Sequence, residues 1–295
     1  MNVHMYVIRK LEYAVDQCSG ECDIAECNDD AVHSWDEAVA YYTGSIPKTT
    51  GKDGTLLYTL AQRRCLNFGT CMREGDDAGM AYANSEIFTQ FRTGKMNLML
   101  GNCKDLRMQV DIISQNMAVP LIQGVFRYAH IMDKQLTKTE KAQGEGAAFA
   151  ASVLPLVYDC STADAAIIYD NMRVGNQGMA DFVLVKQTFE RNYDCLGITC
   201  EDMGGLIDDV YGGYWEDADP CGQNNSTQLW SPSISFSVDY STTSAPTAVS
   251  TNESSGIIIL NNEPDNTISS GSPFVYFPLL NSMALVFTGL LIATL

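Results

Sequence analysis

Apolar residues recur at helical spacing through much of the chain between residues 30 and 215. The clearest case is residues 31–44, where Trp35, Val39 and Tyr42 stand at i, i+4 and i+7 and share one face of a helix. Asp30 is suited to cap the start of this helix, and Gly44 is suited to end it. Stretches in which apolar and polar residues alternate one by one are scarce. The pattern therefore predicts helices and few strands.

Further helices are predicted along the same region, and their number and length define the fold class. A break is expected near Gly94 and a kink at Pro120, because glycine and proline weaken or interrupt helices. These helices imply a mainly α fold, a helical bundle made of one unit or of two packed helical units. The predicted segments are residues 54–65, 78–101, 103–136, 140–160, 161–172 and 178–195, and residues 200–215 close the domain.

The ten cysteines predict a disulfide-braced domain. All of them lie within residues 18–221, no CxxC pair occurs, and the chain has 3 histidines, so a zinc site of the usual kind is disfavoured. Disulfides formed in an oxidising compartment are the better explanation. Short-loop pairs such as Cys65 with Cys71, or Cys195 with Cys200, are plausible from spacing, but the sequence leaves the connectivity open.

The composition changes after residue 221. Residues 222–273 are rich in Ser, Thr, Asn and Pro, which predicts a linker, and sequons at Asn224, Asn225 and Asn252 suggest a glycosylated stalk. Residues 274–295 form an apolar terminal segment. We expect this segment to be a GPI-type signal, slightly ahead of a C-terminal membrane helix, because no basic residues follow it.

The N-terminal residues bear on localisation as well. Residues 1–15 lack the continuous apolar stretch and the small-residue cleavage site of a secretory signal peptide. Since disulfides require an export route, we expect the N-terminal part to be incomplete or wrongly assigned in the sequence. Together the cysteines, the linker and the apolar segment predict a domain of residues 1–221 at the cell surface, on the extracellular or periplasmic side of the membrane.

Charge and missing motifs narrow the function. The formal net charge is -18, which argues against a nucleic-acid partner, because phosphate binding needs a basic face. Such acidity is suited to a soluble surface that attracts cations. The sequence contains no GxGxxG after a strand, no GxxxxGK[ST], no GxSxG and no HExxH. We therefore expect no enzymatic activity.

Six segments of the domain carry a family resemblance: residues 35–45, 54–71, 94–100, 119–129, 145–160 and 195–206. They resemble the algal iron-assimilating surface proteins, which include the phytotransferrin group and related high-CO2-inducible periplasmic proteins. The resemblance implies a surface protein that binds ferric iron, with carbonate as the synergistic anion in the phytotransferrin members. Residues 35–45 also resemble, more loosely, the helical imelysin-like proteins of periplasmic iron uptake.

Two groups of residues are candidates for the metal, because ferric iron favours phenolate and carboxylate oxygens, with an imidazole as an occasional ligand. The first group is His33, Glu37 and Tyr41, at i, i+4 and i+8 on the helix face opposite Trp35. The alternative for this group is an ordinary solvated polar face.

The second group lies near residues 127 and 145. Tyr128 and Glu145 are candidate ligands, and Arg127 is a candidate partner for carbonate. The alternatives are that Tyr128 packs in the core and that Glu145 simply favours the start of a helix. His130, Asp133 and Tyr58 are weaker candidates of the same kind, and the acidic, aromatic residues 211–219 suggest a surface region.

The predicted function is a surface protein that assists ferric iron uptake, with iron as its partner and the C-terminal segment holding it to a membrane. One alternative is a helical adhesion or structural ectodomain without metal. A less favoured alternative is an imelysin-like peptidase, for which the sequence suggests no substrate.

Overall fold

The computed structural model describes residues 3–18, 30–44, 55–75, 78–135, 138–176 and 180–221, which fall in one compact unit. The prediction of a mainly α, disulfide-braced fold is confirmed: these residues form ten helices, no strand and two isolated bridges. The helices are α1 Val3–Gln17, α2 Asp30–Thr43, α3 Leu57–Phe68, α4 Tyr82–Met99, α5 Cys103–Lys134, α6 Glu140–Cys160, α7 Thr162–Met172, α8 Phe182–Glu190, α9 Tyr193–Leu196 and α10 Cys200–Met203.

The longest helix, α5, is the centre of the bundle. It has 32 residues, which corresponds to a length of about 48 Å, and it packs against α1, α3, α4, α6 and α8. Residues 117–126 are all buried, so this part of the helix is enclosed by its neighbours on every side. Within it, the side-chain amide of Gln123 donates to the carbonyl oxygen of Met203 at 3.1 Å. Pro120 lies inside the helix without ending it.

The apolar face predicted on α2 is confirmed. Trp35 and Tyr42 are completely buried, and Val39 packs against the same core. Residues 3–17, treated from sequence only as a poor signal peptide, form α1, which packs along α2 with Val7 and Leu11 fully buried.

The expected break near Gly94 is wrong, because α4 runs through this position without interruption. A Cβ atom added to Gly94 would lie 2.1 Å from Cζ2 of Trp35, so the absence of a side chain lets the indole of α2 pack against the backbone of α4. The indole N–H of Trp35 donates to the carbonyl oxygen of Phe91 at 3.0 Å. Gly94 therefore serves packing between helices.

Four disulfides join the described cysteines. Cys65–Cys71 closes a six-residue separation, as predicted, and Cys18–Cys103 ties α1 to the start of α5. The suggested Cys195–Cys200 pair is wrong: Cys160 bonds Cys195, and Cys200 bonds Cys221. The physical reason is that Gly197, with φ +68°, turns the chain between α9 and α10, and each cysteine then meets a different part of the domain. Cys22 and Cys27 lie outside the described residues.

Residues 200–215, predicted as a helix that closes the domain, contain only one helical turn, α10, and are irregular after it. The backbone N–H of Gly205 donates to Phe68 O at 3.2 Å, and that of Ile207 donates to Asn67 O at 2.8 Å, so this segment caps the end of α3. Gly204 has φ +60°, and a Cβ there would lie 2.1 Å from Phe68 O, which explains why glycine is needed.

No helix within the described residues is long and apolar enough to cross a bilayer. The predicted linker 222–273, with its sequons, and the predicted apolar segment 274–295 lie outside the described residues.

Candidate functional site

Two of the residues predicted from sequence meet where α5 and α6 pack together. The hydroxyl of Tyr128 on α5 donates a hydrogen bond to Oε2 of Glu145 on α6. The helices approach closely here because of Gly146, where an added Cβ would lie 2.9 Å from Cβ of Tyr128. Lys141, one turn before Glu145, brings its ammonium nitrogen to 3.8 Å from the other carboxylate oxygen. A phenol and a carboxylate are thus held side by side on adjoining helices.

An aromatic wall supports this pair. The rings of Tyr128 and Phe149 stack with centroids 5.7 Å apart and planes 18° from parallel. Space for Phe149 is provided by Gly124, since a Cβ there would lie 2.6 Å from Cδ1 of the phenylalanine ring. The two glycines, Gly124 and Gly146, therefore set the depth at which the phenol lies between the helices.

Two arginines give the site positive charge. Arg64 on α3 is 9% exposed, and its guanidinium carbon lies 5.7 Å from the centre of the Phe149 ring. Its Nη1 donates to Oδ1 of Asn67 at 2.8 Å, whereas its Nε is buried without a hydrogen-bond partner. Arg127, half-buried on α5, places its guanidinium carbon 5.8 Å from the centre of the Tyr128 ring.

The electrostatics of the group reflect this mixture of charges. Burial, reinforced by the positive charge of Arg127, lowers the pKa of Arg64 to about 10. Burial and then the hydrogen bond to Glu145 raise the pKa of the Tyr128 hydroxyl, while the two guanidinium groups oppose this rise. A buried guanidinium with an unused donor favours an added anion, because an anion would satisfy the donor and offset the repulsion between the arginines.

The other predicted group has different surroundings. His33 is exposed, and Glu37 forms an ion pair with Lys10 of α1, which lowers the pKa of the Glu37 carboxyl. Tyr41 is 43% exposed and its ring centre lies 5.9 Å from that of Tyr6. The contacts of Glu37 and Tyr41 are thus made with α1, separately from the α5–α6 pair.

The weaker candidates have structural surroundings. His130 is buried with ring centroids of Phe182 and Trp215 each 5.2 Å away, and Oδ2 of Asp133 accepts from the Phe182 backbone N–H at 3.0 Å. Tyr58 packs against the core with its ring centre 5.7 Å from that of Phe88. In the acidic, aromatic segment, Asp217 forms an ion pair with Lys134 at 3.3 Å, and Tyr211 and Tyr214 are exposed.

Arg64 is the member of the site that the sequence predictions missed. On α3 the buried side chains Leu57, Ala61, Arg64 and Phe68 follow one another at helical spacing. A charged residue at a position where the pattern calls for an apolar one is unusual, since arginine is rarely buried without a specific partner. That break in the apolar pattern was the available signal.

Within the described residues, no three His, Cys, Asp or Glu side chains gather closely enough to hold a metal ion. A hard cation at the α5–α6 pair would therefore depend on the phenol of Tyr128, on Glu145 and on oxygens supplied by an anion or solvent. Comparison with models of protein families, with curated proteins and with solved structures gives no match for this chain.

Proposed function

We propose that this chain is a cell-surface protein that binds ferric iron and assists its uptake, with carbonate as the accompanying anion. The observation that carries the proposal is the contact between Tyr128 and Glu145 next to the guanidinium groups of Arg64 and Arg127. The resemblance of the sequence to the algal iron-assimilating proteins supports the same assignment.

The donor types suit this cargo. Ferric iron is a hard cation that prefers anionic oxygen, and Tyr128 and Glu145 supply a phenol and a carboxylate already in contact. Binding requires the shared proton to leave the Tyr128 hydroxyl, after which both oxygens face the metal. Carbonate contributes further oxygens to the iron and accepts hydrogen bonds from the unused Nε of Arg64 and from Arg127.

The proposal fixes a direction for the pH dependence. Because the pKa of Tyr128 is raised in the metal-free protein, iron must displace a proton that is held more firmly than usual. Metal binding therefore releases protons, and the affinity for ferric iron falls as the pH drops. An acidic compartment would favour release of the cargo.

The experiment is a titration of the purified, oxidised full chain with ferric nitrilotriacetate, followed by visible absorption, in CO2-free buffer and with added bicarbonate. We expect a phenolate-to-iron band that needs bicarbonate and disappears in Tyr128→Phe and Glu145→Gln. The matched control variants are Tyr41→Phe and Glu37→Gln, which replace the same residue types on α2 and should keep the band. A band that is absent with bicarbonate, or that survives Tyr128→Phe unchanged, contradicts the proposal and leaves the helical ectodomain without metal as the better explanation.

Attachment at the cell surface is part of the same proposal. It is supported by the disulfides of the described residues, which suit an oxidising compartment, and by the composition of residues 222–295. Release of the protein from native membranes by a phosphatidylinositol-specific phospholipase would favour the GPI anchor. Resistance to that enzyme together with extraction by detergent would favour a membrane helix.

A further inference from the structure

A concave region lies between α2 and α4, and neither helix contributes to the Tyr128–Glu145 site. The cavity has a volume of about 460 Å³. Trp35, Val39 and Phe88 belong to its apolar lining, and the charged residues Asp36, Arg92 and Lys95 line it as well. This size, with a mostly apolar lining and a few charged groups, is typical of sites for small organic molecules.

The apolar lining is held in place by its own packing. Trp35 is fully buried, its indole N–H bonds the Phe91 carbonyl oxygen at 3.0 Å, and its ring meets the Phe91 ring nearly edge-on, at 88°. Phe88 is fixed by edge contacts with Tyr42 and Tyr58, at centroid distances of 6.3 and 5.7 Å. Trp35 itself lies beneath the surface, and a ligand would meet the half-buried Val39 and Phe88. Because the contacts of Phe88 already fix its ring, little side-chain freedom would be lost on binding.

The charged residues leave one uncompensated positive group. Lys95 lies 2.9 and 2.8 Å from the two carboxylate oxygens of Asp36, so these two charges offset each other. Arg92 donates from Nε to the Phe88 carbonyl oxygen at 3.2 Å and forms no ion pair with any other residue that the structure describes. Its terminal N–H groups are thus available beside the apolar lining.

We propose that this cavity binds a small aromatic carboxylate, with the ring against Val39 and Phe88 and the carboxylate on Arg92. Aromatic rings pack favourably edge-on or offset against one another, which suits the rings that line the cavity. The planar guanidinium matches a carboxylate with two parallel hydrogen bonds. This site is separate from the proposed iron site, because none of its lining residues belongs to that site.

The test uses 2-naphthoate and its uncharged analogue 2-naphthalenemethanol as probes, with the ¹⁵N-labelled, oxidised full chain. Binding is followed by calorimetry and by the indole N–H resonance of Trp35, assigned by its loss in Trp35→Phe. We expect saturable binding of 2-naphthoate that shifts this resonance. Arg92→Gln should weaken naphthoate binding about three- to fivefold, as expected for an exposed ion pair, and leave the uncharged analogue unaffected.

Two further variants separate the proposed site from general adhesion. Val39→Trp places a large ring in the cavity and should abolish binding of both probes. Arg173→Gln removes an exposed arginine just after the end of α7 and should change neither. The proposal is overturned if naphthoate shows no saturable binding at millimolar concentration. It is overturned equally if the Trp35 resonance stays fixed, or if Arg92→Gln weakens both probes alike or neither.

Discussion

The packing of Trp35 against Gly94 permits a quantitative test by the substitution Gly94→Ala. In an isolated helix, alanine is more favourable than glycine by about 1 kcal/mol. In this protein the new Cβ would lie 2.1 Å from Cζ2 of Trp35, whereas ordinary contact begins at 3.4 Å, so the indole must move by about 1.3 Å. Such overpacking costs about 1–3 kcal/mol in a dense core.

Displacement of the indole also endangers its hydrogen bond to the Phe91 carbonyl oxygen, which is buried and has a length of 3.0 Å. Loss of a buried hydrogen bond costs about 1–3 kcal/mol. With the middle of each range taken and the helix preference subtracted, Gly94→Ala should lower the free energy of unfolding by about 3 kcal/mol. For a domain of this size that corresponds to a fall in Tm of about 6–12 °C.

The assay is urea unfolding of the oxidised protein, with thermal unfolding as a second measurement. The matched control is Gly144→Ala on α6, where no heavy atom lies within 4 Å of the added Cβ. This variant should be unchanged or more stable by up to about 1 kcal/mol. If Gly94→Ala is as stable as Gly144→Ala, the close contact between Trp35 and α4 does not exist, and the reasoning from it is refuted.

Three further predictions concern stability, each measured by urea unfolding. Burial lowers the pKa of His130, so the unfolded chain takes up a proton before the folded protein does as the pH falls. The free energy of unfolding should therefore decrease below about pH 6.5, and the decrease should be smaller in His130→Phe. Equal decreases in both proteins would contradict this. Replacing Cys160 and Cys195 together by serine opens a loop of 35 residues and should lower the free energy of unfolding by about 3–4 kcal/mol. A peptide map of the native protein that lacks this disulfide would refute the pairing. Tyr42→Phe removes the hydroxyl that donates to Oδ1 of the buried Asn84 and should lower the free energy of unfolding by about 1–3 kcal/mol. An unchanged free energy of unfolding would contradict this hydrogen bond.

The helices were predictable because their signal is local. The spacing of Trp35, Val39 and Tyr42 requires only that one face be apolar, and the described helix buries that face. The role of Gly94 was not predictable, because the same glycine weakens an isolated helix and admits an indole from another helix. The disulfide pairs of Cys195 and Cys200 depended in the same way on parts of the chain distant in sequence.

The candidate site was predictable in its chemistry and less so in its membership. Tyr128, Glu145 and Arg127 were chosen for their donor types, and the structure gathers them with Arg64, which comes from α3. In a sequence, a buried arginine can be recognised only because it occupies a position where the helical pattern calls for an apolar residue. Which helix that stripe faces is decided by packing over a separation of more than sixty residues, from Arg64 to Arg127.

Helical hairpins explain why the two predicted ligand groups have different surroundings. Where two antiparallel helices pack together, a contact four residues further along one helix is matched by a contact four residues earlier on the other. On α5 and α6, Gly124 faces Phe149, and one turn later Tyr128 faces Glu145.

On α1 and α2 the same rule pairs Tyr6 with Tyr41 and, one turn further, Lys10 with Glu37. Glu37 thus meets a permanent cation, which already satisfies its charge and competes with any metal. Across the α5–α6 contact Glu145 meets a phenol, which can give up its proton and become a second anionic donor. The cation near Glu145, Lys141, lies on its own helix, and its nitrogen stays 3.8 Å from the other carboxylate oxygen. The two glutamates thus differ in the partner that helix packing gives them, a phenol for Glu145 and a lysine for Glu37. This difference makes the α5–α6 pair the stronger candidate for a hard cation.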